Sequence, residues 1–227
     1  THGVRPGGSA LNSGQVGGLR AAQLIAHQSR RGEPPPEADV GQVEAQVASE
    51  IAELRQYLSP PAGAPTVDEV RLEIQERMSR YAALARSLDG ARRALSDART
   101  LSARIAAEGQ KPASAQQVVR AFQNEHLCRT HIAFLVALEA LLERGGGSRG
   151  AYVVLDEAGD RNVQTAKGTG MPHRSENLAL RRGLLEVAAD ETGQLTTWVT
   201  PVRPLPSDDS WYESIWRQWR DGEVFDA

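Results

Sequence analysis

Apolar residues recur at alternating spacings of three and four through the middle of the chain, the period of a helix that buries one face. Val67, Val70, Ile74, Met78, Tyr81, Ala85 and Leu88 form one such stripe. Thr66-Val67-Asp68-Glu69 opens it as a capping box, in which the Thr66 hydroxyl accepts the Glu69 amide and Glu69 reaches back. Asp89-Gly90 interrupts the stripe, which resumes as Ala91, Ala94, Ala98, Leu101 and Ile105 and stops at Gly109 and Pro112. A further segment starts at Ser114, with Gln117 completing a second box, and runs through Val118, Phe122, Phe134, Leu138 and Leu142 to Gly145. An earlier helix covers Val43 to Leu58 and ends before Pro60-Pro61. Stripes this narrow are stable only when packed on one another, because short isolated helices are marginal in water. Residues 37–146 therefore predict a bundle of three to four helices.

The pattern changes on either side. Before the bundle, Gly3, Gly7, Gly8, Gly14, Gly17 and Gly18 read as a loop, followed by a helix over Leu19 to His27 and a breaker from Arg30 to Pro36. After it, β-branched and aromatic residues take over, and all four Trp lie there. Ala151 to Leu155 predicts a short strand, and Leu184 to Ala188 with Leu195 to Val202 a β-hairpin joined across Asp190-Glu191-Thr192-Gly193. Trp211, Ile215 and Trp219 then recur every four residues on a short amphipathic helix, where Trp reads as packing. The expected fold class is mainly α. A helical bundle (37–146) is followed by a small mixed α+β C-terminal domain (147–227) and preceded by a glycine-rich loop and helix (1–36).

Composition narrows the function classes. The 227 residues carry 26 Lys+Arg against 29 Asp+Glu, a net charge of −3, so bulk charge announces no polyanion-binding groove and nucleic acid is not an expected partner. The single cysteine, Cys128, makes neither an internal disulfide nor a zinc site alone, and no apolar run reaches the roughly 18 residues of a membrane span. No charged-then-apolar leader opens the sequence, so the expected location is cytoplasmic, with membrane association only through partners.

Three segments are candidates for chemistry. Gly145-Gly146-Gly147-Ser148-Arg149-Gly150 satisfies G-x-G-x-x-G, yet it follows a helix and precedes a strand, the reverse of the dinucleotide fingerprint. His126, Cys128 and His131 share one helix, but no H-E-x-x-H spacing exists, so packed roles are expected and no metal site. The strongest signal is the opening, His2-Gly3-Val4-Arg5-Pro6-Gly7-Gly8-Ser9-Ala10-Leu11, which leads into a helix. Clustered glycines let a backbone approach a ligand, a helix N-terminus offers unpaired amides, and Arg5 supplies a fork for a carboxylate.

This opening, with Gly18-Leu19-Arg20-Ala21-Ala22 after it, resembles the flavin-contacting segment of the fumarate reductase/succinate dehydrogenase flavoprotein family, H-G-A-N-R-L-G-G-N-[SA]-L followed by G-R-A-A. The chain is one residue shorter between Gly3 and Arg5, and has Pro6 for Leu and Ser9 for Asn. A second patch, Ser148-Arg149-Gly150-Ala151 and Asp156, resembles the family's E-S-R-G-A-H-x-R-x-D, with Gly147 for Glu, Tyr152 for His and Val154 for Arg. The resemblance implies that residues 1–36 are the last loop and helix of an FAD-binding domain. It implies substrate binding by Arg5 and His2, and flavin contacts from Gly7, Gly8, Ser9, Ala10 and Leu11, those of Ala10 and Leu11 through their backbone amides. The family's dinucleotide fingerprint and proton-donor arginine precede this segment and are not found here. The expected protein is thus the C-terminal part of an FAD-dependent oxidoreductase that passes a hydride between substrate and flavin. FAD is the cofactor of the complete protein, not held tightly by this chain, which is inactive alone. The implied partners are the N-terminal FAD-binding half, in the same or a separate chain, and an electron-transfer subunit. The competing reading is a stand-alone helical interaction module or subunit without enzymatic activity.

Overall fold

The computed structural model describes residues 9–30, 39–150, 152–164, 166–190, 192–202, 204 and 211–223. Among them are six α-helices and six strands: α1 (Ser9–Arg30), α2 (Val40–Leu58), α3 (Val67–Tyr81), β1 (Ala85–Arg86), α4 (Leu88–Glu108), α5 (Ala115–Glu143), β2 (Val153–Leu155), β3 (Arg161–Gln164), β4 (Gly170–Arg174), β5 (Gly183–Ala189), β6 (Leu195–Pro201) and α6 (Trp211–Asp221). The chain is mainly helical with a small α+β part, as the periodicities predict. It divides into two compact units: Glu44–Val202 carry the larger, and Val4–Val43 with Arg203–Ala227 the smaller.

The larger unit is built on α3, α4 and α5. Ala91, Ala94 and Ala98 on α4 have no exposed surface and face Leu135, Leu138 and Leu142 of α5. Small residues on one helix let the leucines of the other seat deeply. Farther along, Val70 and Ile74 of α3 meet Leu101 and Ile105 of α4 and Cys128 of α5. A third cluster joins Val67 and Ala121 to Leu54, Val118 and Phe122.

A buried polar clamp holds the start of α3 against the α4–α5 connection. Asn124 Nδ2 donates to the Val67 carbonyl (2.9 Å) and to Gln110 Oε1 (2.8 Å), while Gln110 Nε2 donates to the Ala121 carbonyl (2.8 Å). Neither side chain has exposed surface, so each bond forms where its loss strands a donor or acceptor away from water.

The strands form two sheets. The first has the order β1-β2-β4-β3, with β1 parallel to β2 (Ala85 opposite Val153) and the other pairs antiparallel. The second is the predicted β5–β6 hairpin, which packs against α5 with Leu185 opposite Val199 and Glu186 opposite Trp198. In the smaller unit, Trp219 Nε1 of α6 donates to Gln23 Oε1 of α1 at 3.1 Å, and the Trp216 and Trp219 rings stack with centroids 5.0 Å apart. No helix among the described residues is long and apolar enough to cross a membrane.

Several expectations change. The first helix begins at Ser9, ten residues before Leu19, and Gly14, Gly17 and Gly18 lie inside it with open space where a Cβ would stand. The Val67 stripe leaves the helix at Tyr81; Ala85 belongs to β1 and Leu88 begins α4. Asp89-Gly90 is no interruption but the first turn of α4. Ser87 caps it, its hydroxyl accepting the Gly90 amide, and a Cβ on Gly90 would lie 2.8 Å from that oxygen. The β3–β4 hairpin has no counterpart in the sequence reading, because β3 is exposed throughout and carries one apolar residue, Val163. The Thr66 box forms with both bonds (Glu69 N to Thr66 Oγ1, 3.2 Å; Thr66 N to Glu69 Oε2, 2.8 Å). At Ser114 the return bond runs instead from the Ala113 amide to Gln117 Oε1 (2.6 Å).

The alanine seam makes a sharp expectation. Ala98→Leu forces methylenes into the α4–α5 contact and lowers unfolding free energy by about 1–3 kcal/mol, whereas Ala107→Leu on the exposed face of α4 stays within about 0.5 kcal/mol. Urea unfolding of the two variants measures the contrast; equal effects would show that the helices do not meet at Ala98.

Candidate functional site

Of the residues expected at the flavin and substrate, His2, Arg5, Gly7 and Gly8 lie outside the described residues. Ser9, Ala10 and Leu11 form the first turn of α1. The backbone amides of a first turn have no intrahelical acceptors, and the helix dipole places its positive end there. That turn can donate hydrogen bonds to an electron-rich ring edge or an anion. Gln23 of the same helix is positioned by Trp219.

The histidine and cysteine positions resolve into packing. Cys128 is buried, its thiol 3.6 Å from the Ala98 carbonyl, and burial pushes its pKa up, away from the reactive thiolate. His126 meets Phe122 edge-on at 4.5 Å. No group of three or more metal-ligating side chains occurs among the described residues.

His131 is 3% exposed, and neither ring nitrogen has a hydrogen-bond partner among the described residues. Burial pushes its pKa down to about 4, and the Arg77 guanidinium adds to the effect by opposing a second positive charge. Arg77, itself 6% exposed, pairs with Glu73, whose other oxygen takes Arg104 Nη2 at 2.8 Å. The sequence reading passed over this ionic seam. Its signal was a charged residue three positions beyond Ile74, on the edge of the apolar stripe, with Glu73 four residues before it to pair with.

The second patch of the resemblance holds the turn between α5 and the sheet. A Cβ on Gly147 would fall 1.7 Å from the Ser175 carbonyl oxygen, so only glycine fits where the family pattern has Glu. The Ser148 amide donates to the Arg174 carbonyl (2.9 Å), and its hydroxyl accepts the Val154 amide (2.9 Å). Arg149 pairs with Glu176 at 3.1 Å, and Arg174 places Nε and Nη2 on one oxygen of Asp156 (3.0 and 2.6 Å), holding that carboxyl below its usual range. Tyr152 carries the Arg86 guanidinium on its ring at 4.1 Å, and Val154 is core. The departures at Gly147, Tyr152 and Val154 thus sit where the backbone and side chains are packed. The rejected G-x-G-x-x-G run is this same turn, between α5 and β2.

His131 makes stability depend on pH in a defined window. Its folded value lies below the ordinary histidine value of about 6.5, so the unfolded chain binds the extra proton first. The contribution is fully present above about pH 6.5, falls as pH drops toward 4, and totals on the order of 3 kcal/mol. Chemical unfolding of the native chain and His131→Leu between pH 4 and 8 should show a steeper loss in the native chain. Parallel profiles would remove His131 as the cause.

No family model matches the chain, and no curated protein does. Among solved structures, the fold is similar to that of a variant of FrdA from E. coli quinol fumarate reductase, at a TM-score of 0.53 and 15% identity. The match covers 81% of this chain and 28% of that one, so the chain spans under a third of the length of its structural neighbour. At this identity the likeness is one of fold.

Proposed function

We propose that the chain is the C-terminal portion of an FAD-dependent oxidoreductase of the fumarate reductase/succinate dehydrogenase flavoprotein type. The observation that carries this is the fold match, 81% of this chain against 28% of a fumarate reductase subunit. The opening motif supports it independently, since α1 begins at Ser9, inside the Gly7-Gly8-Ser9-Ala10-Leu11 run that the resemblance assigns to flavin contact.

In this reading residues 1–36 complete an FAD-binding domain whose larger part is the remaining polypeptide, in the same or a separate chain. The first-turn amides of α1 at Ala10 and Leu11 hold the flavin edge, and Gly7 and Gly8 leave room for the close approach. When bound, FAD supplies the two-electron redox chemistry. Arg5, with His2 beside it in sequence, grips a substrate carboxylate by a charge-assisted fork, which fixes orientation as well as affinity. Residues 37–146 and 147–227 act as scaffold domains. An electron-transfer subunit completes the assembly, and the chain by itself neither retains flavin nor turns over.

Two measurements test the reading. The purified chain should carry no flavin absorbance, and near-stoichiometric flavin on it would overturn the partial-domain assignment. In the assembled protein, Arg5→Ala should leave flavin content unchanged and reduce kcat/KM by roughly 30- to 1,000-fold, the loss of about 2–4 kcal/mol for a charged hydrogen-bonded contact. An unchanged kcat/KM would remove Arg5 from the substrate site.

A further inference from the structure

Helix α2 carries an apolar line of which only the end is packed. Val40, Val43, Val47, Ile51 and Leu54 recur at spacings of three and four, the pattern of a single buried face. Leu54 joins the cluster of Val67 and Ala121. The four residues before it are bare: Val40 is 64% exposed, Val43 53%, Val47 51% and Ile51 44%. The bare face thus continues a contact already made, over about 17 Å of helix from Val40 to Ile51. Isolated helices of this length are marginal in water, and most of their stability comes from covering such a face.

Charge chooses what can cover it. Glu44 lies four residues after Val40 and three before Val47, and Glu50 lies three after Val47 and four before Leu54. At about 100° per residue, the two carboxylates fall on opposite edges of the apolar line. No Lys or Arg occurs from Gly32 to Leu54, a stretch that holds Glu33, Glu37, Asp39, Glu44, Glu50 and Glu53. Glu44 is exposed and in no ion pair among the described residues. One oxygen of Glu50 is withdrawn from solvent without a hydrogen-bond partner, an acceptor left open beside the stripe. The start of the helix does not answer this charge, since the Gln42 amide already donates to Asp39 Oδ1 at 3.1 Å. A second copy of α2 would set acid against acid along both edges, and an anionic lipid surface would do the same. A helix with Lys or Arg on both sides of an apolar line complements the stripe and its two edges together, as e and g residues do beside a coiled-coil seam.

We propose that the exposed face of α2 docks a basic amphipathic helix of a partner polypeptide. Val40, Val43, Val47 and Ile51 are its apolar contact, and Glu44 and Glu50 are its charge partners. The surface uses none of the residues assigned to flavin or substrate and does not depend on the flavoprotein reading.

The probes are two fluorescent peptides of about three heptads, both with Leu at a and d, one with Lys at e and g and its twin with Glu there. Like charges keep each peptide from pairing with itself. Titrated with the whole chain at low salt, the Lys peptide should saturate, with amide shifts centred on residues 40–54, and the Glu twin should not bind. Raising the salt to about 0.3 M should weaken the complex several-fold. Val47→Asp, at an exposed position, should weaken it about tenfold or more. The double variant Glu44→Lys with Glu50→Lys should lose about tenfold for the Lys peptide and gain affinity for the Glu twin, a gain that an unfolded chain cannot produce. Equal binding of the two peptides, no binding of either, shifts centred away from α2, or an unchanged preference in the double variant would overturn the proposal. So would a dimer in sedimentation velocity that Val47→Asp dissociates, since a second copy would then cover the face.

Discussion

The close approach of α4 to α5 along Ala91, Ala94 and Ala98 is the contact on which the larger unit depends. At these positions the seam is filled by methyl groups with no exposed surface. Leu135, Leu138 and Leu142 fill the space that the alanines leave. Val154 of β2 packs into the same cluster, so the mixed sheet is anchored to the helices by one continuous apolar body.

Polar groups then determine how the helices are placed along the seam. The Asn124–Gln110 clamp ties the Val67 and Ala121 carbonyls, where geometry matters because a buried bond cannot be replaced by water. The Glu73 carboxylate, held between Arg77 and Arg104, does the corresponding work between α3 and α4. Burial, with the charge on Arg77 adding to it, keeps His131 neutral. Ion pairs of this kind add little net stability once desolvation is counted.

Glycine has three distinct uses in this chain, and composition alone does not separate them. Gly147 is required by the Ser175 carbonyl, and Gly90 by the hydroxyl that caps α4. Gly14, Gly17 and Gly18 have open space around them and weaken the exposed α1. Helix α1 therefore runs through a segment that reads as loop, since local propensity is a weak prior that a continuous run of hydrogen bonds overrides. The exposed β3 was invisible for the opposite reason: a strand paired by backbone bonds at a sheet edge needs no apolar alternation.

The sequence by itself determined the helical stripes, the N-terminal caps at Thr66 and Ser114, the β5–β6 hairpin and the order of helical and mixed regions. Each of these rests on interactions between residues close in the chain or on a period that one element imposes. It also carried the glycine-rich opening that resembles a flavin-contacting segment, since that signal is a run of consecutive residues. Tertiary structure alone decided that Arg77 and His131 share a buried seam and that β1 and β2 run parallel. Those depend on residues tens of positions apart, brought together by helix packing whose register no local pattern records.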